Sequence, residues 1–317
     1  MISKALVVGS AQRKTEELAK LPGVELMVVT PPSWILEGAV QPLERRYTAG
    51  YQLAVEPIVL NGHFHTHFYP LLGRRLRAFA PDVVHVDEEA YNVATFQALL
   101  LARRQGAHTV FFTWQNLDRR YPPPFSTMER YVLARIDGCI AGNQEAAAIQ
   151  RRRGFGGPLR VIPQFGVDPQ LFQPEAGRAH EGFVVGAIGG RLVEDKGVRV
   201  LCDAFEQLPG DGRLLLAGRG PLEDEVRLRA ANRGWADRLT ITYVPSTDTP
   251  GLYNQMDCFV LPSLTRRNWK EQFGRAIVEA MACQVAVVGS DSGEIPEAVG
   301  EAGIIVPEGN ATALAAA

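Results

Sequence analysis

The stretch LPSLTRRNWKEQFGRAIVEAMACQVAVVGSDSGEIPE, residues 261–297, sets Glu271 and Glu279 eight residues apart across a loop-to-helix junction. Apolar runs at 258–261 and 285–289 flank this junction and read as buried strands. Residues 273–283 read as a helix, with Phe273, Ile277, Ala280 and Met281 as its apolar positions and Gly274 and Arg275 in its first turn. The start of that helix offers unpaired backbone N–H groups and the positive end of its dipole, a suitable seat for a phosphate. Glu271 precedes the helix, where it can reach a sugar next to that phosphate. Glu279 lies two turns in and can accept hydrogen bonds from both hydroxyls of a ribose diol. Two glutamates are more often solvated surface charges, so the reading needs a second segment.

Residues 183–188 supply it with a continuous apolar run, followed by Gly189, Gly190 and Arg191 and, five residues on, Lys196 and Gly197 before a helical pattern over 198–208. A strand, a glycine turn and two cations aimed at one place suit a diphosphate. Arginine forks onto two oxygens and lysine adds a compact charge. Further strands are expected at 5–8, 25–29, 83–86, 109–112, 138–141 and 160–162, then at 213–217, 239–243 and 303–306. Two such series alternating with helices predict an α/β chain of two doubly wound, Rossmann-like parallel sheets, with ligands at the carboxyl ends of the strands and in the cleft between the domains. The Pro-, Gly- and charge-rich stretch 168–182 marks the boundary, giving domains over 1–172 and 173–317.

Together, GRLVEDKG at 190–197, EQFGRAIVEAMA at 271–282 and SDSGEIPE at 290–297 resemble the donor-binding half of GT-B retaining glycosyltransferases, in particular glycosyltransferase family 4. GRGPLEDE at 218–225 and VIPQFGVDPQLFQP at 161–174 extend the resemblance, which covers roughly residues 80–317. It implies that Arg191 and Lys196 hold the donor diphosphate, that Glu279 takes the ribose and that Glu271 stands beside the transferred sugar. The backbone of Phe273 and Gly274 would lie close to the phosphates, with Gly190 in the phosphate-side turn. The implied reaction moves a sugar from a nucleoside-diphosphate sugar to an acceptor hydroxyl with retention. No Asp-x-Asp occurs in the chain, so fixed positive groups are expected to serve in place of a metal and no cofactor is implied.

The departures bear on the first domain. Family members often carry a Thr-x-His at a strand end against the donor sugar; here 110–115 reads VFFTWQ and Gln115 stands in the histidine's place. Glutamine hydrogen-bonds a hydroxyl but takes no proton near neutral pH. Gln284 and Ala286 replace a usual glycine and a frequent proline, and the glycine-rich loop after the first strand is reduced to Gly9 and Ser10. Within TWQNLDRRYPPP at 113–124, Trp114, Gln115, Asn116 and Tyr121 suit stacking and hydrogen bonding to a sugar or acceptor. HFHTH at 63–67 would align three imidazoles if extended, yet no carboxylate or cysteine accompanies it, which favours an acceptor-side loop or plain surface. Asp87, Glu88 and Glu89 follow an expected strand and read equally as an acceptor-facing group or an exposed acidic loop.

Composition sets outer limits. With 317 residues, 46% of them apolar, the chain can fill two ordinary cores. Residues 1–172 carry 19 Lys and Arg against 15 Asp and Glu, a net of +4, and residues 173–317 carry 14 against 20, a net of −6. Neither half is basic enough for nucleic acid. Arg74, Arg75 and Arg77, or 151–153, allow a peripheral contact with anionic lipid, although a solvated helix face is the plainer reading. Four scattered cysteines without zinc spacing, no apolar span and no leader point to a cytoplasmic protein. The closing EGNATALAAA opens a helix without a cap, so the chain reads as truncated at its C-terminus. A nicotinamide oxidoreductase is disfavoured because no G-x-G-x-x-G opens a helix after a strand. A GT-B epimerase or phosphorylase would keep the phosphate cations, and a non-catalytic nucleotide-sugar binder would fit Gln115.

Overall fold

The computed structural model describes residues 1–36, 38–164, 166–175, 182–208, 210–244 and 248–317. The chain divides into two compact units, Met1–Ile162 and Pro163–Ala317. This division falls before the expected boundary at 172/173, because Phe172 buries its ring against Tyr253 in the core of the second unit. Phe165 and residues 176–181, within the segments read as the domain end and linker, lie outside the described residues. Among the described residues no helix is long and apolar enough to cross a membrane.

The first unit contains β1 (Met27–Thr30), β2 (Ser33–Leu36), β3 (Ala39–Pro42), β4 (Gln52–Val55), β5 (Val83–Val86), β6 (His108–Thr113), β7 (Gly138–Ala141) and β8 (Leu159–Val161). Strand β1 pairs with β4, and β5 to β8 pair in chain order, all in parallel. Ile2 joins the two groups, bridging Val29 of β1 and Val86 of β5. Its N–H donates to the His85 carbonyl and its own carbonyl accepts from Asp87, each at 2.8 Å. The strand expected at 5–8 is therefore corrected: Lys4–Val7 form a 3-10 turn. Ser3 Oγ accepts the Ala5 N–H at 3.2 Å, and the turn buries Leu6 and Val7 without a ladder. A short apolar run satisfies burial in either form, so periodicity cannot separate them.

The second unit contains β9 (Val184–Arg191), β10 (Arg213–Arg219), β11 (Leu239–Thr242), β12 (Cys258–Leu261), β13 (Ala286–Ser290) and β14 (Ile304–Val306). They form one parallel sheet in the order β11-β10-β9-β12-β13-β14. Both faces are covered. Leu214 and Leu216 of β10 enter a core with Phe205 and Trp235, whereas Leu215 and Ala217 enter another with Tyr253 and Phe259. Burial on both sides explains why this strand reads as an unbroken apolar run.

From β9 the sheet grows through β10 and β11 in one direction and through β12 to β14 in the other. The carboxyl ends of β9 and β12 thus flank a topological switch point, where open α/β sheets bind ligands. The two segments singled out in the sequence meet there. Gly197 adopts φ 68°, and a Cβ on it would stand 1.8 Å from the Pro262 carbonyl oxygen, so the Lys196 turn rests directly on the chain leaving β12.

Candidate active site

Glu271 is the hub of the crevice. Its Oε2 accepts from Lys196 Nζ at 2.7 Å and from Ser263 Oγ at 3.1 Å. The Lys196 ammonium also lies 4.7 Å from the centre of the Trp269 ring, a cation–π contact. The SDSGEIPE tract clamps this arrangement from below. Gly293, at φ 56°, lets its backbone approach so closely that a Cβ would come within 2.1 Å of the Glu271 carbonyl oxygen. Ser290 Oγ donates to the Ser263 carbonyl at 2.6 Å, tying the end of β13 to the loop after β12.

Gly274 precedes the helix Arg275–Ala282 with φ 75°, a left-handed cap position open to glycine. Glu279 on this helix is only 8% exposed. Its Oε2 accepts from the Tyr253 hydroxyl at 2.8 Å and its Oε1 pairs with Arg275 Nε at 3.0 Å. Burial pushes the Glu279 carboxyl above its ordinary pKa, against the pull of Arg275 and Tyr253. A buried carboxylate held open on a pocket, with both oxygens fixed, can recognise a diol.

Gly190, Lys196, Glu271, Gly274 and Glu279 line one pocket of about 340 Å³, with Tyr243 further along its wall. Arg191, exposed at the end of β9 in register with Arg219, and Phe273, half-buried just before Gly274, are not among the described residues that line this pocket. The nucleobase region expected at 243–245 begins at Tyr243, whose ring carries the Arg219 guanidinium 4.5 Å from its centre. Pro245 lies outside the described residues. Three contacts were missed in the sequence: Tyr253, Trp269 and Ser263 gave no signal there. The Arg275–Glu279 pair was not read either, although its spacing of four residues on one helix is a signal that could have found it.

Residues 10–171 match the family described as Glycosyltransferase Family 4, and residues 182–317 match Glycosyl transferases group 1. The chain belongs to glycosyltransferase family 4. This family 4 chain is 35% identical over 133 residues to O-antigen chain mannosyltransferase B of Escherichia coli, a match covering 40% of the chain and 34% of that protein. It is 26% identical over 303 residues to the GDP-mannose-dependent alpha-(1-6)-phosphatidylinositol monomannoside mannosyltransferase of Mycolicibacterium smegmatis, covering 88% and 76% respectively. The first curated relatives are matched over 34% and 40% of their own length. Among solved structures, Anabaena Alr3699/HepE in complex with UDP superposes with a TM-score of 0.73 at 21% identity, over 97% of this chain and 85% of that one. The family 4 chain thus has the GT-B fold.

In the first unit of this family 4 chain, Gln115 and Asn116 follow β6 and are both buried. Gln115 Oε1 accepts from an Arg153 guanidinium N–H at 2.9 Å, and Arg153 also pairs with Glu129 and Asp118. Trp114 packs on Gly142, where a Cβ would sit 2.2 Å from its ring. Of the two equal readings of 87–89, the exposed acidic loop is overturned. Asp87 accepts from Ser3 Oγ at 2.7 Å and pairs with Lys14, while Glu88 is buried against Lys4 and Asn92, because these carboxylates knit the strand ends to the N-terminal segment. The histidines do not share one face. His65 lies edge-on among Tyr91, Tyr121 and Phe125, and His67 is buried with its Nε2 3.5 Å from Glu88. Among the described residues no group of three or more His, Cys, Asp or Glu side chains could hold a metal ion.

Glu89 accepts from Thr113 Oγ1 at 2.6 Å and from the Trp114 N–H at 2.9 Å, yet burial lifts its carboxyl to about 7. The folded chain therefore holds a proton that the unfolded chain has released above a pKa of about 4.3, so ionising Glu89 lowers stability as pH rises towards 7. Glu89→Gln is expected to gain on the parent by about 2 kcal/mol between pH 5 and pH 8. Urea unfolding of both proteins at the two pH values tests this, and a difference that does not change with pH would mean that Glu89 titrates normally.

Proposed function

We propose that this chain is the donor-binding and catalytic body of a retaining glycosyltransferase that moves a hexose from a nucleoside-diphosphate sugar to an acceptor hydroxyl without a resident metal. The observation that carries the reading is the convergence of Lys196, Glu271 and Glu279 on one pocket at the switch point of the second sheet. In the reaction, the bond between the anomeric carbon and the diphosphate oxygen breaks and its electron pair leaves with the diphosphate. Lys196, with Arg191 and the helix start after Gly274, stabilises that growing charge. The acceptor oxygen bonds to the same face of the anomeric carbon and its proton passes to a donor phosphate oxygen. Glu271 orients the sugar hydroxyls and its negative charge favours the oxocarbenium-like transition state. Glu279 holds the ribose.

Both relatives described above are named as mannosyltransferases, one of them GDP-mannose-dependent, which makes GDP-mannose the first donor to assay and UDP-sugars the second. Free cysteines, three of them buried, support a reducing cytoplasmic setting. Arg74, Arg75 and Arg77 are exposed on the helix Leu72–Phe79, which supports peripheral contact with anionic lipid as part of the same reading.

Thermal unfolding with UDP, GDP, ADP and NAD tests the proposal. A nucleoside diphosphate at about 100 times its Kd is expected to add about 2.7 kcal/mol to stability, and Glu279→Ala to abolish that gain. Stabilisation by NAD alone would overturn the reading. Release of free hexose or glycosylated acceptor separates a transferase from a non-catalytic binder.

A further inference from the structure

The ribose reading of Glu279 requires a carboxylate aimed in one fixed direction, and its two partners are unequal. Arg275 is on the same helix, with its side chain 46% exposed, so its hold on Oε1 competes with water. Tyr253 is fully buried, the last residue of the short helix Thr249–Tyr253. Its ring stands edge-on to Phe172 and Phe259, with centroids 6.1 and 5.6 Å away, and packs in the core with Met256 and Ile277. Packed on several sides by described residues, the phenol donates its hydroxyl hydrogen from the core to Glu279 Oε2 at 2.8 Å.

We infer that Tyr253 is a positioning residue for nucleotide recognition: its buried hydroxyl fixes the Glu279 carboxylate in the orientation that accepts the ribose diol. This rests on the ribose role proposed above for Glu279. Each carboxylate oxygen carries about two acceptor directions. Tyr253 fills one on Oε2 and Arg275 one on Oε1, which leaves one on each oxygen for the two ribose hydroxyls. The bond also favours the ionised carboxylate against the burial that opposes it. A tyrosine needed only for packing would fill the core as well when replaced by phenylalanine. A positioning tyrosine would not, because the ring stays and the aim of Glu279 is lost.

The experiment is calorimetric titration of the whole chain. UDP, GDP and ADP are compared first, and the one that binds tightest is then compared with its 2′,3′-dideoxy form. The parent is expected to prefer the ribose form by about tenfold, a preference that Glu279→Ala removes. Tyr253→Phe should weaken the ribose form by about five- to tenfold and leave the dideoxy form within about twofold. Adding Tyr253→Phe to Glu279→Ala should change nothing further. Equal weakening of both ligands, whether from pocket damage or from unfolding, would assign Tyr253 to the core alone and overturn the inference. So would unchanged affinity for the ribose form. A parent that ignores the ribose hydroxyls, or a preference that survives Glu279→Ala, would instead remove the ribose reading itself.

Discussion

Lys196→Ala is expected to lower turnover by about 10²- to 10³-fold at saturating donor, the usual consequence of deleting a charge-stabilising group at a leaving atom. The Lys196 ammonium is fixed by Glu271 at 2.7 Å and covered by the Trp269 ring. On the leaving-group role proposed above, a cation fixed in this way would need little reorganisation when the diphosphate develops its extra charge. The attraction grows as the bond breaks, so the loss should fall mainly on kcat, with KM changing less. Lys196→Arg keeps the charge but replaces a compact ammonium by a planar fork, and should recover only part of the rate. Steady-state kinetics with the donor identified by thermal unfolding decides the matter. A kcat within about threefold of the parent would rule out the leaving-group role.

Gly197→Ala should give the largest loss of stability, about 3 kcal/mol, and with it a fall in Tm of about 6–12 °C. Two costs coincide at this residue. The backbone is left-handed, and the added methyl would press to 1.8 Å on a main-chain carbonyl that cannot rotate away. Gly234→Ala is the matching control, since that glycine has φ 75° with nothing within 4 Å of its Cβ position, and should cost only about 1 kcal/mol. Equal losses in a calorimetric scan of the two variants would show that the close approach to Pro262 carries no weight. Because the strained turn also holds Lys196, the Gly197 variant should lose nucleotide stabilisation as well.

Much of this arrangement could be read from local pattern. Residues 138–141 and 258–261 were expected as strands and form β7 and β12 at those residues, because short apolar runs bounded by polar residues at sheet centre leave few alternatives. The spacing of Glu271 and Glu279 likewise places both on one pocket, since a loop and two helical turns span a fixed distance. What was not legible is long-range. Lys196 and Glu271 are 75 residues apart, and nothing near either one signals their ion pair. The β2–β3 hairpin lacks a strong alternation, with Leu36 and Val40 exposed, and β4 owes its form to pairing with β1. At residues 87–89 three consecutive acids resemble a solvated loop until Lys4 and Lys14 arrive from the N-terminal segment.

Phe172 gives the domain boundary a practical meaning. The ring belongs to the second core and abuts Tyr253, although the residue stands on the first-domain side of the break suggested by composition. A donor-side fragment begun at residue 173 would keep every strand of its sheet and every side chain of the pocket, yet lack the wall behind Tyr253. Such a fragment could retain its secondary structure while the phenol drifts and Glu279 loses its aim, so weak nucleotide binding in it would report on the cut and not on the site. Starting at Pro163 keeps the plug with the machine it steadies.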